Sequence, residues 1–92
     1  SRLHYSPGIP LKMNVTKPKK DQAFILINKR KIKLKDYFYL SKKKDLDEAA
    51  KNLYSCLRSI KNMGYKSIAV AKIPNKGMGK AINDRLNRAS KF

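Results

Sequence analysis

Apolar positions recur along this chain at two periods. From Pro10 to Val15 apolar and polar residues alternate, the spacing of a short strand with one buried face, and Pro10 at its start predicts an edge position or a strand entry. Ala23-Phe24-Ile25-Leu26-Ile27 is a continuous apolar run, which predicts a strand covered on both faces. Tyr37-Phe38-Tyr39-Leu40 and the small, β-branched run Ile68-Ala69-Val70-Ala71 predict two more strands. Between Lys29 and Lys35 basic residues alternate with Ile32 and Leu34, the pattern of an exposed edge hairpin or a loop.

The period then changes to that of a helix. At about 100° per residue, Leu46, Ala49, Ala50, Leu53, Leu57 and Ile60 fall within one stripe, with Tyr54 and Cys56 at its margins. Ser41 to Asp45 supply N-cap candidates, and Asp45, Asp47 and Glu48 put negative charge where a first helical turn leaves amides unpaired. Gly64 is placed to end this helix at C′. A second helix is expected from about Gly79 to Ala89, with Met78, Ala81, Ile82, Leu86 and Ala89 on its buried face. A helix between strand-like runs predicts α/β layering, with a right-handed crossover if the flanking strands are parallel neighbours.

The length of 92 residues suits one small domain, and a chain of this size buries a modest core that a neighbouring surface could complete. No apolar run approaches the roughly 18–20 residues that span a bilayer, so no membrane partner is expected. The single cysteine, Cys56, and the single histidine, His4, provide neither an internal disulfide nor zinc-ligand spacing, and a reducing, cytoplasmic setting is the default. Ser6-Pro7-Gly8 has the residue order of a type II turn, and what precedes it reads as linker, so a portion of a longer protein is expected.

Charge changes this picture less than its size suggests. The balance of 23 Lys+Arg against 6 Asp+Glu gives +17, but 18 of the cations are lysines dispersed over predicted loops and strand ends. Such a distribution is that of a solvated basic surface as readily as that of a nucleic-acid footprint.

Candidate chemistry is sparse. The loop Gly77-Met78-Gly79-Lys80 between a strand and a helix invites an anion or nucleotide at Gly77, Gly79 and Lys80, because helix N-terminal amides attract anions. A Walker loop would need glycine at Pro74 and a hydroxyl at Ala81, however, and a tight strand-to-helix turn explains the same glycines. Arg85 stands in the middle of the apolar stripe of the second helix, so it should be partly buried and paired. Asp45 or Asp47 is the expected partner, and reach toward a neighbouring domain or an anion is the alternative. His4 and Tyr5 offer a proton donor and a stacking ring, although an exposed linker histidine is usually inert. Cys56 reads as a packed thiol. The chain contains no separated acid/base pair, triad or metal set, and no catalytic residue is assigned.

Three stretches together resemble the C-terminal domain of the two-domain threonylcarbamoyl-adenylate synthases. His4-Tyr5-Ser6-Pro7 is similar to that family's linker signature His-Tyr-Ala-Pro, with Ser6 in place of alanine. Leu40-Ser41 and Asp45 to Tyr54, with Leu57-Arg58, are similar to its first-helix pattern, although Ile60-Lys61 stands where Leu-Asp is frequent. Gly77 to Leu86, with Arg88-Ala89, is similar to its closing helix, Gly-Leu-Gly-x-Ala-Ile-x-x-Arg-Leu.

The resemblance implies a small Rossmann-like α/β domain with a short, mostly parallel or mixed sheet and two main helices. It further implies that residues 1–9 are an interdomain linker and 10–92 an accessory domain. The partner would be an N-terminal catalytic domain of the same polypeptide, a nucleotidyltransferase-type enzyme acting on ATP, L-threonine and bicarbonate in tRNA modification. On this basis ATP and Mg²⁺ belong to that domain, no cofactor belongs to this chain, and this chain alone is inactive. Arg2, His4 and Tyr5 would contact substrates from a lid, and Arg58, Asn83 and Arg85 would be structural or interdomain residues. The competing expectation is an autonomous basic module that binds RNA, tRNA included, in its own right.

Overall fold

The computed structural model describes residues 8–28, 31 and 34–91. Four strands form one sheet: β1 (Leu11–Lys12), β2 (Ala23–Leu26), β3 (Tyr37–Tyr39) and β4 (Ile68–Val70). Two helices complete the domain, α1 (Leu46–Asn62) between β3 and β4 and α2 (Met78–Ala89) after β4. The strand order is β1-β4-β2-β3, and every pairing is parallel. The sheet is therefore parallel rather than mixed. The strands flanking α1 are not neighbours, because β2 lies between β3 and β4 and α1 bridges across it.

The centre of the sheet is made by β4 and β2, whose residues read as continuous apolar runs because both faces are covered. Ala23 and Leu11 both align with Ile68, and Ile25 aligns with Val70. These residues join Leu53, Leu57 and Ile60 of α1 and Ile82 and Leu86 of α2 in the main core, so both helices lie on one face. On the opposite face Phe24, Leu26, Ala69 and Ala71 form a smaller cluster with Val15, Tyr37 and Tyr39. Phe24 and Tyr37 meet there edge to face at 5.4 Å.

β1 is an edge strand, as its proline predicts: Pro10 lacks an amide donor, yet its carbonyl accepts from the Ile68 amide at 2.8 Å. Lys12 ends the regular pairing, and Asn14 turns into the left-handed region at φ 57°. The Val15 amide then returns to the β4 side, donating to the Val70 carbonyl at 2.9 Å. This local kink sets Met13 and Asn14 off the sheet edge.

The start of α1 is fastened by a polar cluster. Asp45 is the N-cap and accepts from the Asp47 amide at 2.9 Å. Buried Ser41 accepts from the Asp45 amide at 2.9 Å and donates to Glu48 at 2.5 Å. Asn52 donates to the Leu40 carbonyl at 2.8 Å, which ties the helix to the end of β3. The other end of α1 closes as a Schellman motif: Gly64 at φ 89° donates to Lys61, and Tyr65 donates to Ile60.

In α2 the buried face is Gly79, Ile82, Leu86 and Ala89. Met78, expected on that face, is 40% exposed, because the helix begins at Met78 and the first residue to meet the core is Gly79. Among the described residues no helix is long and apolar enough to cross a membrane. Of the predicted turn at Ser6-Pro7-Gly8 only Gly8 is described, at φ 75°.

Candidate functional site

The strand-to-helix loop after β4 has an unusual entry. Gly77 is the N-cap of α2 at φ 52° and ψ −135°, a conformation essentially reserved for glycine, and it supplies no side-chain cap. The Gly79 amide donates to the Lys76 carbonyl at 2.8 Å and the Lys80 amide to the Gly77 carbonyl at 3.2 Å. The amides of Gly79 and Lys80 are thus committed to their own loop. Gly79 is required for packing: a Cβ at that position would lie 1.9 Å from the Pro74 carbonyl oxygen. Both glycines therefore have a structural reason, in keeping with the tight-turn explanation of the motif.

Asn83 fixes the outgoing chain. Its Nδ2 donates to the Ile73 carbonyl at 3.0 Å and reaches Asn75 Oδ1 at 3.5 Å. This bond lashes the first turns of α2 to the segment leaving β4, giving Asn83 a positioning role that the sequence motif alone does not explain.

Beside this junction lies a cleft of about 500 Å³. Met13 and Asn14 from the kink after β1, Lys72 and Ile73 from the end of β4, and Lys80 and Asn83 from α2 line it, together with Asn75, Asp84 and Asn87. The cleft sits at the carboxyl ends of two adjacent parallel strands, where the loops of such sheets are free to carry function. Its one carboxylate, Asp84, pairs with Arg88 at 2.9 Å one turn further along α2. Lys80 and Asn83 belong to this lining, whereas Gly77 and Gly79 do not. Asn14, Lys72 and Asn75 escape the motif reading: Asn14 falls inside the predicted strand Pro10 to Val15, Lys72 directly follows the predicted strand Ile68 to Ala71, and Asn75 stands in the loop before Gly77.

The remaining candidates are dispersed. Arg58 is exposed on α1, away from this cleft's lining. Arg85 is half-buried, as its place in the stripe predicts, but its partner differs from expectation. The guanidinium carbon lies 5.4 Å from the centre of the Tyr54 ring on α1, and among the described residues Arg85 makes no ion pair with Asp45 or Asp47. Those aspartates serve the α1 N-terminus instead, Asp45 as the cap and Asp47 through its amide. Arg2, His4 and Tyr5 lie outside the described residues. Cys56 is largely buried, and burial pushes its thiol up to about 11, so the nucleophilic thiolate is scarce near neutrality.

A second cleft, of about 440 Å³, lies at the amino ends of β2 and β3 and gathers Lys17, Lys19, Lys20 and Lys35 with Asp21 and Asp36. Lys35 and Asp21 approach only to 4.0 Å, with both side chains well exposed, a pair that contributes little. Asp36 accepts from the Tyr65 hydroxyl at 2.5 Å.

A family model described as threonylcarbamoyl-AMP synthase, C-terminal domain, matches residues 1–91. The fold is similar to a solved structure described as P. abyssi Sua5 complexed with L-threonine, with a TM-score of 0.72 at 23% identity. That likeness covers 97% of this chain but 30% of the other, so this chain spans under a third of its structural neighbour. A comparison with curated proteins finds no match.

Proposed function

The chain belongs to the family of threonylcarbamoyl-AMP synthase C-terminal domains, and from this premise we propose that it is the accessory domain of such a synthase, anchoring a linker that closes over a catalytic site carried by another domain. The observation that carries this reading is the family match over residues 1–91, which takes in both the linker motif around His4 and Tyr5 and the closing helix. The neighbour's description as complexed with L-threonine supports a threonine-using partner domain.

In this reading residues 1–9 are the linker and 10–92 are its anchor. The catalytic domain binds ATP with Mg²⁺, L-threonine and bicarbonate, and makes an acyl-adenylate used in tRNA modification, a cytoplasmic task. An acyl-adenylate is destroyed by water, so a lid that excludes solvent until release protects the product. His4 and Tyr5 contact the substrates from the lid, and Arg2 adds charge near phosphate. The rigid loop junction at Asn83 and Gly79 and the capped start of α1 keep the anchor stiff, so that closing energy is not lost in deforming it.

The test compares the complete synthase with a form lacking residues 10–92, following both pyrophosphate release and intact acyl-adenylate. The expected result is that substrates still bind while the fraction of turnover recovered as intact product falls. Unchanged recovery, or ATP turnover by this chain alone, would overturn the proposal.

A further inference from the structure

We propose that the cleft between α2 and the ends of β1 and β4 binds a nucleoside monophosphate, with its phosphate held by Lys72 and Lys80. The proposal is independent of the lid reading, since it concerns only this domain. Lysines alone mark nothing on so basic a surface, and the α2 amides are not the anchor, because those of Gly79 and Lys80 are spent within the loop. What distinguishes this place is the combination of a cavity with a graded lining.

Lys72 follows β4 and Lys80 stands in the first turn of α2, so two lysines from different elements line one space. The carboxylate that would oppose an anion, Asp84, is already paired with Arg88 at 2.9 Å. Buried Ile73 and half-buried Met13 give the cleft an apolar wall suited to a flat ring. Asn14 and Asn87 make no side-chain hydrogen bond with the described residues, leaving carboxamides that can pair with the donor and acceptor edge of a base. A volume of about 500 Å³ is in the size class of small-ligand sites.

The second cleft is a built-in comparison. It holds four lysines but two carboxylates, at the opposite ends of the strands, so simple attraction of anions would favour it at least as much.

The experiment is an amide chemical-shift titration of the labelled chain with AMP, adenosine and inorganic phosphate at physiological ionic strength. Saturable shifts with AMP are expected at Asn14, at Lys72, Ile73 and Asn75, and from Lys80 to Asn87, with adenosine and phosphate each weaker. Lys72→Ala and Lys80→Ala, both at exposed positions, should each weaken AMP binding about tenfold, the loss of one charged contact. Three results would overturn the proposal: no saturable shifts, shifts as large at Lys17, Lys19 and Lys20, or AMP affinity unchanged in both variants. Inorganic phosphate binding as tightly as AMP would show a bare anion site and overturn the nucleotide assignment.

Discussion

Gly79 and Pro74 approach so closely that a single added carbon would lie 1.9 Å from the Pro74 carbonyl oxygen. The contact is with backbone, so it cannot be relieved by rotating a side chain. Gly79→Ala must instead push α2 away from the segment leaving β4 and disturb Ile82 and Leu86 below it. A loss of about 3 kcal/mol in unfolding free energy is expected, at the upper end of overpacking costs. Gly77 differs, because a Cβ there would meet nothing within 4 Å and only its positive φ is at stake. Gly77→Ala should therefore cost less, about 1 kcal/mol. Denaturant midpoints of the two variants decide this, and a Gly79→Ala variant as stable as the parent would show that the junction is soft.

Arg85 on Tyr54 joins α2 to α1, the two helices that share one face of the sheet. Half-burial removes part of the solvent that would otherwise screen the cation from the ring, and such contacts contribute about 1 kcal/mol. Arg85→Ala should lose that amount together with the packing of the side-chain stem. A double-mutant cycle with Tyr54→Ala isolates the ring contact, and the expected coupling is about 0.5–1 kcal/mol. A coupling of zero would mean that the arginine stabilises through its stem alone.

How much of this was legible in the sequence depends on the range of the interaction. The apolar run Ala23 to Ile27 announced a strand covered on both faces, and the stripe of α1 announced its buried residues, since both follow from local periodicity. Strand order was legible only in part: Pro10 marked β1 as an edge and the continuous run of β2 marked a covered strand, but nothing local states that Ile68 of β4 will align with both Leu11 and Ala23. The burial of Arg85 followed from the stripe, but choosing Tyr54 over an aspartate required knowing how α1 and α2 face each other. Among site residues, Lys80 was visible through its motif. Lys72 and Asn14 were not, because they matter through the kink after β1 and the end of β4, which bring them to one cleft.

The pairing of Tyr65 with Asp36 sets a pH dependence whose sign follows from the donor. The phenol donates to the carboxylate at 2.5 Å, so it does so only while protonated. That hydrogen bond, then desolvation and the nearby charges of Asp36 and Asp21, push the Tyr65 hydroxyl from 10.0 to about 12. A group whose ionisation is raised on folding contributes its full stabilisation below the unfolded value and loses it as pH climbs through the folded one. The stability difference between the parent and Tyr65→Phe should therefore be flat up to about pH 10 and shrink toward zero by about pH 12. Ultraviolet titration of phenolate gives the site directly. A late ionisation belonging to Tyr65 should be seen in the parent, lost in Tyr65→Phe, and returned toward the ordinary value near 10 in Asp36→Asn, where the acceptor charge is removed. A late tyrosine that persists in Asp36→Asn would assign the shift to desolvation and the Asp21 charge, and the Tyr65–Asp36 bond would then carry no pH-dependent stability.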